Sequence, residues 1–196
     1  MEPIVLKFPE RSAFTDDELF DFCIANDWFH IERDKHGQLI IMSPSGGTTG
    51  TTHFKIYRAL VHWYDAHENK GILLDSSVGF RLPDKSVLAP DAAFVLKERW
   101  DALTHNQREK FPPLCPDFVI ELKSESDSID RLKNKMLEYI ENGCRLGFLI
   151  IPEEKKVYVY KPDRDVIEKS TNEKISGEDV MPGFELDLSF MNQLNL

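Results

Sequence analysis

Cysteine is scarce in this sequence and basic charge is outnumbered. The 196 residues include three cysteines, Cys23, Cys115 and Cys144, far apart and without paired spacing. That excludes a disulfide framework and a zinc knuckle, and it fits buried thiols in a reducing compartment. No apolar run approaches the ~20 residues of a membrane span. The longest late in the chain, Phe148 to Ile151, is strand-sized. Before Pro9 the only apolar stretch is Ile4-Val5-Leu6, and Glu2 stands where a secretory leader would carry lysine or arginine, so a cytoplasmic address is expected. Lysine and arginine total 24 against 34 aspartates and glutamates, a net charge of −10. Such a balance argues against a non-specific nucleic-acid coat, whose binding is carried by cationic side chains displacing counterions. It leaves room for a site in which carboxylates hold a cation that then supplies positive charge locally.

Familiar catalytic signatures are missing as well. The histidines form no His-Glu-x-x-His, and His62 and His67 are five apart, the wrong phase for one helix face, so a zinc hydrolase is not expected. No serine or cysteine sits in a nucleophile elbow. The segment from Ser45 to Thr51 is rich in glycine and threonine but lacks both Gly-Lys-Ser/Thr and Gly-x-Gly-x-x-Gly, and it reads as a turn with helix-capping threonines. Neither an internal repeat nor a low-complexity tract is visible.

What is present suits one domain with one sizeable core, 1–196, divided into an N-terminal helix and hairpin at about 14–43, a core at about 44–161 and a tail at 162–196. Thr15-Asp16-Asp17-Glu18 has the capping-box pattern and leads into Leu19, Phe20, Cys23 and Ile24 at helical spacing. Ile31–Arg33 and Leu39–Met42 flank Asp34-Lys35-His36-Gly37, which suits a hairpin turn. Phe54, Ile56, Tyr57, Leu60, Val61 and Tyr64 predict a longer helix running to about Glu68. Short β-type runs follow at 72–74, 78–82 and 92–96, then a polar segment from Lys97 to Pro112 with room for a short helix. Phe118–Lys123 reads as a strand, Ile129–Asn142 as a helix stopped by Gly143, and Leu146–Ile151 with Val157–Tyr160 as a hairpin. The expected fold class is α/β (α+β), a central mixed sheet flanked by helices.

Chemistry concentrates on the Phe118–Lys123 strand. Alternation puts Phe118, Ile120 and Leu122 on one face and Asp117, Val119, Glu121 and Lys123 on the other. The Cα atoms of Glu121 and Lys123 should lie about 6.6 Å apart, within reach of one phosphate. A carboxylate there can bind a hard cation, and an ammonium can orient water or steady developing charge. A second carboxylate must come from elsewhere. Pro90-Asp91 and Pro116-Asp117 echo one another as proline-led strand starts. Asp117 is about 13 Å from Glu121 along the strand, too far to share an ion, which leaves Asp91, thirty residues before Glu121, as the better candidate.

With Pro90-Asp91 and Glu121-Leu122-Lys123 in place, the sequence resembles the PD-(D/E)XK nuclease superfamily, and more narrowly the Uma-type restriction endonuclease family of bacterial proteins. The resemblance runs from about Phe14 to Leu188. It is carried by Ile41-Met42-Ser43-Pro44, Pro90-Asp91-Ala92-Ala93-Phe94-Val95, Pro116 through Ser124, Lys135-Met136-Leu137-Glu138-Tyr139 and Pro182-Gly183-Phe184-Glu185-Leu186. It implies a restriction-endonuclease-like core and phosphodiester hydrolysis with Mg²⁺, for which Mn²⁺ can substitute. Asp91 and Glu121 would be metal ligands and Lys123 the catalytic lysine. Lys135 and Tyr139, four apart on one helix face, resemble the Gln/Lys-x-x-x-Tyr element that supports such sites, and Glu32 resembles an early family glutamate that adds a further metal carboxylate.

The expectation is a Mg²⁺-dependent endonuclease acting on nucleic acid, DNA in the first instance, with amides near Ser124–Ser128 helping to hold phosphate. Cleavage of both strands would suit a homodimer. The alternative from another class is a catalytically inactive nuclease-fold module acting in nucleic-acid or protein binding. It is motivated by the acidic balance and by a basic cluster limited to Arg131, Lys133 and Lys135.

Overall fold

In the computed structural model, residues 3–8 and 14–193 are described; the leader reading rests partly on Glu2 and Pro9, outside that set. The N-terminal part holds strand β1 (Ile4–Leu6), helix α1 (Asp16–Ala25) and the hairpin of β2 (His30–Arg33) and β3 (Leu39–Met42). The capping box forms as expected. Thr15 Oγ1 accepts from the Glu18 amide at 3.3 Å, and Glu18 Oε2 accepts from the Thr15 amide at 2.9 Å. In the hairpin turn Asp34 Oδ1 accepts from the amides of His36 and Gln38, and Gly37 supplies a φ of 81°.

Helix α2 spans Gly47–Tyr64. Next come β4 (Gly71–Asp75), β5 (Phe80–Arg81), β6 (Val87–Leu88) and β7 (Ala92–Leu96). The polar segment forms two short helices, α3 (Lys97–Asp101) and α4 (His105–Glu109). Then follow β8 (Phe118–Leu122), α5 (Ile129–Glu141), β9 (Leu146–Ile151), β10 (Lys156–Tyr160), β11 (Ile167–Ser170), β12 (Ile175–Ser176) and β13 (Glu185–Leu186). Gly143, at a φ of 105° that other residues adopt poorly, carries the chain out of α5.

Among the described residues the central sheet has the order β11-β10-β9-β8-β7-β4. It is mixed because β8 and β9, joined through α5, are parallel while the other neighbours are antiparallel. A second sheet, β1-β3-β2-β6-β5, recruits β5 and β6 from the middle of the chain onto the N-terminal hairpin, with Arg33 opposite Val87. Residues beyond 161 add β11 to the edge of the central sheet and form the β12-β13 hairpin.

Alternation along β8 sorts side chains into two cores. Phe118, Ile120 and Leu122 pack with Ile56, Leu60 and Trp63 of α2 and with Phe184 and Leu186. Val119 packs on the other side with Leu132, Met136 and Tyr139 of α5. Each such fully buried side chain contributes roughly 1.5–3 kcal/mol. Gly147 lets α5 lie close to β9, since a Cβ there would come within 2.4 Å of Met136 Cε. That close approach delivers the polar edge of α5 to the C-terminal end of β8. Among the described residues no helix is long and apolar enough to cross a membrane.

Candidate active site

Strands β7 and β8 run antiparallel, with Ala92 opposite Ile120 and Phe94 opposite Phe118. The aspartate that precedes each strand therefore reaches the far end of the other. Asp117 Oδ2 accepts from the Leu96 amide at 2.9 Å, and Asp91 Oδ2 accepts from the Leu122 amide at 2.6 Å. The other oxygens differ. Asp117 Oδ1 is met by the Arg99 guanidinium at 2.9 Å, and the residue is buried. Asp91 Oδ1 faces His53 Nε2 at 3.5 Å, where no hydrogen bond forms, and the Nε2 atom is buried without a protein partner.

Asp91 and Glu121 line one cavity of about 360 Å³, shared with His53, Ser124, Arg131 and Lys135. Lys135 is the cation inside the site. Its ammonium lies 2.7 Å from Glu121 Oε1 and 2.7 Å from Glu32 Oε1, and it donates to the Ala89 carbonyl at 3.0 Å, so all three of its donors are used. Glu32 is 1% exposed. Its Oε1 also accepts from the Ala89 amide at 3.0 Å, and its Oε2 lies 3.4 Å from Arg131 Nη2. Glu32 thereby ties the N-terminal sheet to α5 and to the backbone just before Pro90-Asp91. Tyr139, one turn after Lys135, donates to Glu121 Oε1 at 3.3 Å.

Burial dominates the electrostatics of this cluster. It pushes the Glu121 carboxyl up to about 8; the Lys135 ammonium pulls against that shift, and the negative charges of Asp91 and Glu32 add to it. Burial opposes a charged Lys135, but the two glutamates outweigh it and raise its pKa, so the ammonium is retained. The Tyr139 hydroxyl is driven well above its ordinary range, first by burial and then by Glu121 and Glu32, which keeps it a donor.

Lys123 follows β8 and turns elsewhere. Its Nζ donates to Glu153 Oε1 and to the Ser124 carbonyl, each at 2.9 Å. It lines a larger adjoining cleft of about 950 Å³ with Gly46–Thr49 at the start of α2, and the two spaces share Pro44, Leu122 and Ser124. In the loop before α5 the Ser124 amide is already held by Asp127 Oδ2 at 2.9 Å, and Ser128 Oγ caps α5 by accepting from the Arg131 amide at 3.5 Å.

The structure thus gathers Asp91, Glu121, Lys135 and Tyr139 with Glu32 behind them, and sets Lys123 at the neighbouring rim. Among the described residues no three histidine, cysteine, aspartate or glutamate side chains converge closely enough to cage an ion. A hard cation that keeps several waters needs only one or two carboxylates together with substrate oxygens. Asp91 Oδ1 and the unpartnered His53 Nε2 offer adjacent donors, and the recorded bonds of Glu121 fall on Oε1, leaving Oε2. The donor set fits a divalent cation. Nothing in the sequence singles out His53, because its partner Asp91 lies 38 residues away. Its place one turn before Tyr57, whose hydroxyl donates to the Asp91 carbonyl at 2.8 Å, gains meaning only in the fold.

Residues 16–189 match the profile of the Uma2 family, described as "Putative restriction endonuclease". The chain belongs to that family. A crystal structure from Anabaena variabilis ATCC 29413, described as "a putative nuclease", is similar with a TM-score of 0.65 at 16% identity, covering 83% of this chain and 89% of the other. At that identity the likeness shows the fold, a restriction-endonuclease-like core. No curated protein matched the chain. Family and fold together support a nuclease and hence a nucleic-acid substrate.

Proposed function

We propose that this Uma2-family protein is a Mg²⁺-dependent DNA endonuclease that hydrolyses phosphodiester bonds at the Asp91–Glu121 cavity. The observation that carries the reading is the meeting of these two acids, from opposite ends of antiparallel neighbours, in one cavity with a fully bonded lysine beside them. A bound divalent cation would polarise the scissile phosphate and supply a nucleophilic water at neutral pH. Asp91 and Glu121 would hold it. The Leu122 amide fixes Asp91, while Lys135 and Tyr139 fix Glu121 through the same oxygen. Arg131, lining the cavity, supplies a guanidinium for a phosphate oxygen, and Lys123 meets a flanking phosphate at the rim.

Incubating pure protein with supercoiled plasmid and Mg²⁺ or Mn²⁺ tests this. Nicking is expected from the wild type and not from Asp91→Ala; identical band patterns from the two would sink the catalytic claim. One observation favours the binding-module alternative: the Glu121 carboxylate is already neutralised by Lys135. Under that alternative, calorimetry would detect no Mg²⁺ or Mn²⁺ uptake.

A further inference from the structure

We infer that His53 is a protein ligand to the divalent cation, paired with Asp91, and that the site therefore binds Mn²⁺ more tightly than Mg²⁺. The inference rests on the metal-dependent reading above and specifies the ion.

Its first support is an unpaired atom. His53 lines the cavity, and its Nε2 is buried with no protein hydrogen-bond partner. Buried polar nitrogens are nearly always satisfied, so one that is not points to something it binds. Its second support is spacing. Two donors bound to one ion at roughly 2.1–2.2 Å, with angles near 90–110°, lie roughly 3.0–3.6 Å apart. His53 Nε2 and Asp91 Oδ1 are 3.5 Å apart, with no hydrogen bond between them.

The third support is that both donors are held in place. Asp91 cannot turn away, because the Leu122 amide holds its Oδ2 at 2.6 Å. The His53 ring lies nearly parallel to that of Tyr57, at 16° and 5.9 Å between centroids, and Tyr57 is hydrogen-bonded to the Asp91 backbone. Helix α2 is thereby registered against Asp91 at two points one turn apart. The cations of the cavity are paired with carboxylates other than Asp91: Lys135 with Glu121 and Glu32, and Arg131 with Glu32. The chemistry of the donors then selects the ion. An all-oxygen set suits Mg²⁺, whereas an imidazole nitrogen favours first-row transition ions.

The test is pulsed EPR of the full-length protein, stripped with EDTA, loaded with Mn²⁺ and prepared with natural or ¹⁵N-labelled histidine. Calorimetry with Mn²⁺ and Mg²⁺ accompanies it on wild type, His53→Ala and Asp91→Ala. The expected result is a directly bound nitrogen that changes with the label, Mn²⁺ binding tighter than Mg²⁺, and loss of the coupling in His53→Ala. Mn²⁺ affinity should fall in that variant by at least the ~10–100-fold seen when a mere outer-shell partner is removed. Mn²⁺ uptake that needs Asp91 but shows no nitrogen coupling would overturn the proposal and leave the metal-dependent reading standing. A coupling that persists in His53→Ala would assign the nitrogen to another histidine and overturn it equally. No uptake at all would remove both. Should His53→Ala fail to fold, His53→Gln replaces it, and a His30→Ala control identifies which cavity histidine carries the labelled coupling.

Discussion

Two Pro-Asp dipeptides close the two ends of the same strand pair, and they do different jobs. Asp117 clasps the end of β7 through the Leu96 amide and gives its second oxygen to Arg99. Asp91 makes the same clasp on the end of β8 through the Leu122 amide, but its second oxygen faces a cavity and an unsatisfied imidazole. The shared half of the motif is thus a structural device, in which an acid satisfies the amide where a strand leaves the ladder. What makes one end a candidate site is the carboxylate oxygen left over, together with Glu121, Lys135 and Tyr139 gathered beside it.

The comparison is broken most severely by removing Asp91's charge without its shape. Asp91→Asn retains an acceptor for the Leu122 amide, so urea unfolding should show a loss below about 1 kcal/mol. Plasmid nicking should fall by at least ~10²-fold, the scale on which a single electrostatic contact to the reacting group acts. The same exchange at Asp117 should leave activity per folded molecule nearly intact. A nicking loss of equal size in Asp117→Asn would erase the distinction drawn between the two ends.

Stability should respond the other way round. Asp117→Ala strands a guanidinium and a backbone amide that the carboxylate now satisfies, and is expected to cost about 2–4 kcal/mol by urea denaturation. The lower part of that range is favoured because the Arg99 side chain is 35% exposed and can reach water.

This asymmetry was only half legible in the sequence. Alternation in β8 gave its two faces, and distance along an extended chain separated Asp117 from Asp91. The α1 capping box and the Gly143 stop were readable because their signals are local. Helix α2 begins at Gly47, well before the first apolar repeat at Phe54, because its opening turns are glycine and threonine and carry no periodic pattern. Strand β5 falls within the β-type run at 78–82, but β6 is two residues fixed by pairing onto a hairpin some fifty residues earlier, so nothing local announces it. Glu32 is buried and meets Lys135 across more than a hundred residues of sequence. Such a contact is set by tertiary packing, and the family resemblance alone pointed to it.

A pH series sharpens the comparison further, since Glu121 belongs only to the Asp91 end. Its folded-state pKa is raised from 4.5 to about 8, chiefly by burial. The folded chain therefore binds this proton more tightly than the unfolded one. That contribution is fully present below about 4.5 and is lost as pH rises through about 8. In EDTA, wild-type stability should decline across that window by at most ~1.4 kcal/mol per pH unit. Glu121→Gln should flatten the decline; an unchanged slope would show that another group sets it.

The smallest effect belongs to Lys123, which leaves the same strand end for the adjoining cleft. Its partner Glu153 is 47% exposed in its side chain, so the pair adds less than about 1 kcal/mol and Lys123→Ala should barely move the unfolding midpoint. If the ammonium meets a flanking phosphate, removing it weakens DNA binding and lowers the slope of log affinity against log salt by about 1. An unchanged salt slope would confine Lys123 to its bond with Glu153. The nucleic-acid track would then lie over Arg131 and the cavity mouth, leaving the Asp91 side of the β8 end as the only part that meets substrate.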